Sequence, residues 1–277
     1  GKVRRLTRQN SHDEFYPSFS RDGKSIVYTS WSDDELGSVK VINITGGIGK
    51  TISTEPGVYI EPKFSPSGDR VVFRRLAGGY LLSPEWSMEP GVYIADLREK
   101  TMEKIMGSGF NAHFSASEDR IYFTSYVPAS KYTELELCSV DLSGEDKREL
   151  LKGKKVTEYQ LSPDGKWVAY THQNNAFVAP FLSTGSQQEV GIETGGLPVA
   201  QVSKTAGEYL HWSADSGSVG WSHAATVFQR SLNQAFSFLD GAPDDLPEPV
   251  SDGIDLSFSQ RADKPESIIA LVGGQII

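Results

Sequence analysis

Apolar and polar residues alternate along this chain in short runs, each introduced by a turn rich in Asp, Gly and Pro. One complete unit reads Tyr16-Pro17-Ser18-Phe19-Ser20-Arg21-Asp22-Gly23-Lys24-Ser25-Ile26-Val27-Tyr28. It recurs as Glu61-Pro62-Lys63-Phe64-Ser65-Pro66-Ser67-Gly68-Asp69-Arg70-Val71-Val72-Phe73. Further copies carry Ala112-His113-Phe114-Ser115, Tyr159-Gln160-Leu161-Ser162 and Leu210-His211-Trp212-Ser213. A fainter one is Leu256-Ser257-Phe258-Ser259. The repeated serines are 45, 50, 47, 51 and 46 residues apart. A period of that size marks a propeller or a solenoid.

Each unit predicts a hairpin, because Asp-Gly between two alternating runs supplies the positive φ that a tight turn needs. A third strand-like run follows, at residues 39–44, 92–97, 135–142 and 177–181, and then a short fourth. Four antiparallel strands per unit are the make-up of a propeller blade, and no blade can bury both faces alone. Helical periodicity is absent from every window of about eleven residues. The repeated serines predict a structural role, a hydroxyl at a strand end bonding the turn backbone.

The expected fold is an all-β, six-bladed propeller of four-stranded antiparallel blades. Residues 2–7 would close it as the outer strand of the last blade, and residues 254–258 would be another inner strand. The alternative is five complete blades with unpaired ends. The chain has 277 residues, or about 46 for each of six units. Residues 1–262 are assigned to the propeller. Residues 263–277 are assigned to a last-blade hairpin, turned at Gly273-Gly274, or to the first strand of a further domain.

Aligning the copies places Tyr16, Glu61, Asn111, Glu158, Tyr209 and Asp255 at the starts of inner strands, around the mouth of the axial channel. Such a ring could bind a cation or a basic peptide end, since carboxylates in a narrow channel focus negative potential. The other reading is a water-filled channel lined by solvated polar groups. Extended loops at residues 31–37, 76–90 and 126–133 carry Trp31, Tyr80, Trp86, Tyr126 and Tyr132, residue types suited to partner contact. Alternatively these aromatics pack their own loops.

The formal charge of −9 argues against a nucleic-acid partner. Cys138 is alone, so no disulfide forms within the chain. No apolar run reaches the roughly eighteen residues of a membrane span. Gly46-Gly47-Ile48-Gly49-Lys50-Thr51 departs from a phosphate loop, with Ile44 where a Gly is required and strand-like neighbours on both sides. It reads as a turn. Gly-x-Ser-x-Gly is absent, and His12, His113, His172, His211 and His223 are scattered, so neither a serine nucleophile nor a metal site is expected. His113 and His211 are assigned to interblade packing.

The copies resemble the repeats of TolB-type propellers, with Ser162-Pro163-Asp164-Gly165-Lys166 the nearest match. Leu6-Thr7, Pro56-Gly57-Val58-Tyr59, Tyr209-Leu210-His211-Trp212-Ser213-Ala214-Asp215 and Ala262-Asp263-Lys264-Pro265 are similar to a branch in which the propeller precedes a metal-dependent amidohydrolase domain. There, residues 270–277 resemble the first strand of the hydrolase half. The resemblance implies a non-catalytic accessory module in an exported, periplasmic protein, with no cofactor of its own. It would pack on the amidohydrolase and shape substrate entry. The alternative it implies is a stand-alone protein-docking module. A third reading, an autonomous metal lyase, requires the histidines to converge.

Overall fold

The computed structural model describes residues 4–77, 89–127, 134–192, 196–259 and 261. The alternation becomes strand throughout. The first blade comprises β1 (Asp13–Phe19), β2 (Ser25–Ser32), β3 (Leu36–Asn43) and β4 (Lys50–Thr51). The second comprises β5 (Tyr59–Phe64), β6 (Arg70–Arg75), β7 (Gly91–Asp96) and β8 (Thr101–Met106). The third comprises β9 (Phe110–Phe114), β10 (Arg120–Tyr126), β11 (Leu135–Asp141) and β12 (Arg148–Gly153). In the fourth, β13 (Val156–Leu161), β14 (Trp167–His172) and β15 (Asn175–Pro180) are followed by β17 (Ala200–Gln201). The fifth holds β18 (Glu208–Trp212), β19 (Ser218–His223), β20 (Thr226–Ser231) and β21 (Ile254–Asp255). One strand leaves its own blade: β16 (Gln188–Glu189) pairs in parallel with β12, matching Leu151 with Gln188.

The described residues therefore build five blades, not six, which is the alternative the repeats left open. Two expectations are corrected with that count. The N-terminal segment does not complete the last blade. Thr7 bridges Gly47 in parallel at the rim of the first blade, where Arg8 N–H donates to the Gly47 carbonyl at 2.8 Å. Nor is Ile254 in an inner strand: β21 pairs with Thr226 and Val227 as the outer strand of the fifth blade. In both places alternation marked a strand correctly, but alternation does not distinguish an inner strand from an outer one.

Period two decides which neighbour each side chain meets. Val71 and Phe73 face the first blade and pack with Val27, Val39 and Tyr59. Val72, between them, faces the third blade and packs with Phe114, Ile121 and Cys138. Val168 and Tyr170 join Leu135 and Leu137, whereas Ala169 joins Leu210 and Trp221. Four such cores connect five blades in order, and no substantial strand packing links the fifth blade to the first among the described residues. At the position that carries Val27, Val72, Tyr122 and Ala169, the fifth blade carries Gly220, flanked by Ser218 and Ser222. A small, polar outer face suits the end of a stack.

The repeated serine fastens each hairpin. Ser20, Ser65, Ser115, Ser162 and Ser213 each accept the N–H five residues on, at 2.9–3.2 Å. Four of these hydroxyls also donate to a turn aspartate, as Ser162 does to Asp164 at 2.5 Å. The third residue after the serine has positive φ in all five turns: Gly23, Gly68, Glu118, Gly165 and Ser216. Where it is not Gly, its side chain reaches the preceding blade. Glu118 accepts from the Ser67 hydroxyl at 3.0 Å and from Arg70 at 3.1 Å, and Ser216 accepts the Asp164 N–H at 3.0 Å. The third turn, which has Glu118 where three others have Gly, is thus tied down by that side chain.

Candidate functional site

The inner strands of all five blades carry a register shift near their starts. At four of these bulges a non-glycine residue is left-handed: Tyr16 (φ +52°), Glu61 (+55°), Asn111 (+53°) and Tyr209 (+56°). These are four of the six residues that the aligned repeats placed at the channel mouth; in the fourth blade Glu158 follows the register shift and pairs with Thr171. A bulge withdraws an N–H from the ladder. The Glu61 carboxylate takes the freed Asn111 N–H of the next blade at 2.7 Å. Glu158 faces the N–H groups of Leu210 and Tyr209 in the blade after its own. Each glutamate thus closes its neighbour's bulge. Asp255 does not join them. It lies on outer strand β21 and accepts from the Ser257 N–H and hydroxyl at 2.8 and 2.9 Å.

Two residues further in, the inner strands present Ser18, Lys63, His113, Gln160 and His211. Lys63 Nζ donates to Gln160 Oε1 at 2.7 Å, linking the second blade to the fourth. Burial pushes the Lys63 pKa down, and Glu158 and Glu61 pull it partly back. Burial pushes Glu158 up, while Lys63 and the two N–H groups oppose that. The mouth carboxylates therefore already face an internal cation.

His113 Nδ1 lies 3.0 Å from the Asn111 carbonyl. A carbonyl only accepts, so Nδ1 carries the proton and Nε2 presents a lone pair. That Nε2 is buried without a partner. Burial, and next Lys63, depress the ring pKa to about 3, so the ring stays neutral. It packs 5.6 Å from Tyr122, its cross-strand partner within the third blade, rather than across to another blade. His211 instead is exposed and covers Gly220, where any added Cβ would lie 2.2 Å from Nε2. The five histidines do not converge on one site, and among the described residues no three His, Cys, Asp or Glu side chains gather as metal ligands do. The axial Lys63–Gln160 link escaped the sequence reading. Its signal was there, a Lys and a Gln at the same place in alternate copies.

Of the expected partner-contact aromatics, Trp31 sits in β2 opposite Gly37, and its indole N–H donates to Asp33 at 3.0 Å. The first connection is consequently tight rather than extended. Tyr126 ends β10 and is 60% exposed, with its ring 5.5 Å from Phe110. Arg74 lies 5.9 Å over that Phe110 ring and 3.7 Å from Glu61, which ties the axis to the rim. Tyr80, Trp86 and Tyr132 lie outside the described residues.

Five repeated sheets of four antiparallel strands, one of them extended by β16, stacked through successive cores define a β-propeller. The family model for the TolB beta propeller domain matches residues 1–195, and the chain belongs to that family. The Tol-Pal system protein TolB of Francisella tularensis subsp. mediasiatica is 28% identical over 182 residues, 61% of this chain and 38% of that protein. The chain thus spans well under half the length of the curated relatives it matches. TolB from Acinetobacter baumannii superposes with a TM-score of 0.58 at 20% identity, covering 79% of this chain and 52% of that one. An oligogalacturonate lyase in complex with manganese gives 0.55 at 11% identity, covering 78% and 64%. These structural likenesses speak to fold alone.

Proposed function

We propose that the chain is a non-catalytic protein-docking module of the TolB type, acting outside the cytoplasm, and that its partner seats on the end of the propeller where the inner strands begin. The carrying observation is the set of tyrosines at that end. Tyr209 is 76% exposed and Tyr16 is 49% exposed, each held at a left-handed bulge, and Tyr126 stands at the rim. Tyr supplies large contact area at low entropic cost. Beneath them the Lys63–Gln160 hydrogen bond joins the second and fourth blades, with the half-buried Glu61 and Glu158 beside Lys63.

The amidohydrolase-associated reading uses the same seat for a covalently attached domain. The residues that carry that likeness, 262–265 and 270–277, lie outside the described residues. A photo-crosslinking amino acid at Tyr209 or Tyr16, with the exposed Lys24 in the hairpin turn of the first blade as control, tests both. Adducts with a second polypeptide at the two mouth positions support docking. Adducts within one longer chain support the accessory role. Equal labelling at all three positions, or none at the mouth, counts against either.

A further inference from the structure

The connection between β20 and β21 is long and tied down, and it carries an exposed aromatic face. The corresponding connections of the first three blades span only residues 44–49, 97–100 and 142–147, whereas here residues 232–253 intervene. The segment opens with a 3-10 turn, Leu232–Gln234. The Arg230 guanidinium donates to the Glu248 carbonyl at 3.0 Å, to the Gln234 carbonyl at 2.9 Å and to the Pro247 carbonyl. Farther along, Val250 N–H donates to the Val202 carbonyl at 2.9 Å and Lys204 N–H to the Val250 carbonyl at 3.1 Å. Held at both ends, the segment has already lost the freedom that binding would otherwise remove.

On it, Phe236 is buried 5.0 Å from Trp167. Phe238 lies 6.5 Å from Trp167 with the ring planes 13° apart, and 5.4 Å from Phe236. Yet Phe238 remains 60% exposed, and Leu246 41%. Residues 231–260 contain six acids, Asp240, Asp244, Asp245, Glu248, Asp252 and Asp255, and no Lys or Arg. The four between Phe238 and Val250 are exposed and enter no ion pair among the described residues. Glu61, Glu118 and Asp146 elsewhere are all paired with Arg.

We propose that this aromatic shelf is a second docking surface, for a basic polypeptide segment bearing arginine beside an apolar side chain. It lies at the end of the blades opposite the tyrosine mouth. An exposed ring face attracts a cation, and the planar guanidinium stacks on it while pairing with carboxylates as an ammonium cannot. Charge complementarity selects that occupant, because the same carboxylates repel nucleic-acid phosphates and anionic lipid.

The test is fluorescence anisotropy with three labelled peptides, in which leucine alternates with arginine, with lysine or with glutamate, at low and high salt. The arginine peptide should bind tightest and the glutamate peptide not at all. Phe238→Ser should weaken arginine-peptide binding about tenfold. Asp244→Asn with Asp245→Asn should weaken it similarly and flatten its salt dependence. Tyr209→Ser, at the other end, should leave it unchanged. The proposal is overturned by absence of binding, by equal binding to wild type and Phe238→Ser, or by a loss confined to Tyr209→Ser. Circular dichroism confirms that each variant is folded before it is scored.

Discussion

Glu118 holds a φ of +60° that a side chain tolerates poorly, and it spends that side chain on Ser67 and Arg70 of the preceding blade. Two opposed effects can therefore be separated at one position. Glu118→Ala keeps the backbone strain and loses the tie, at an expected cost of about 2 kcal/mol. Glu118→Gly loses the tie but relieves the strain, so it should be less destabilised by roughly 0.5–1 kcal/mol. Urea denaturation of both variants measures the difference, and equal stabilities would contradict the strain argument. His113 makes a pH prediction. Its folded pKa of about 3 lies below the 6.5 of an ordinary imidazole. Below pH 6.5 the unfolded chain gains a proton that the folded chain refuses, so stability falls with acidification. The slope should approach about 1.4 kcal/mol per pH unit from this ring. His113→Gln should flatten that part of the profile, and an unchanged slope would show that the ring is not buried neutral. At this scale the repeated serines were legible, because their spacing from the turn is fixed by the bonds they make. The left-handed bulges were not, since Tyr, Glu and Asn give no warning of positive φ as Gly does.

Among the strands, β11 sits in the middle of its blade with β10 on one side and β12 on the other, and Cys138 lies at its centre, fully buried. Burial, with Glu136 adding to it, pushes the thiol pKa up to about 12. The thiol should therefore ignore a disulfide reagent in native buffer and react fully in denaturant. A native-state reaction as fast as that of a free thiol would mean that the third blade opens readily. Strand positions followed the hydrophobic alternation closely, because each face of a stacked blade meets a different neighbour. Placement within a blade was less legible. Residues 2–7 and 254–258 alternate convincingly, yet the partner of an edge strand depends on where the chain returns in space. Aligning the copies picked out Tyr16, Glu61, Asn111, Glu158 and Tyr209, which do lie near the starts of inner strands. The Lys63–Gln160 contact was overlooked, because it joins blades that are not consecutive.

The described residues form five blades joined in order by four separate cores. Phe73 belongs to the core between the first and second blades and Trp221 to that between the fourth and fifth. Phe73→Ala and Trp221→Ala should each cost about 3–5 kcal/mol. Because the two sites share no partner, the double variant should be additive within about 0.5 kcal/mol. Calorimetry or denaturant titration checks this, and a strong departure would mean that the cores communicate. Blade number was the least legible feature at this scale. A faint copy near residue 259 has the length of a unit, but Ile254 and Asp255 serve as an outer strand.

The parallel strand β16 bears on how the protein is made. It comes after the fourth blade's third strand, yet it seals the rim of the third by pairing with β12. A growing chain that has emerged from the ribosome only as far as Pro180 has a finished third blade with a bare margin. That margin is open to any strand that drifts past until Gln188 and Glu189 arrive. Synthesis of the stretch just after Pro180 is therefore the interval in which a chaperone would matter most, and slow codons placed there would lengthen the exposure.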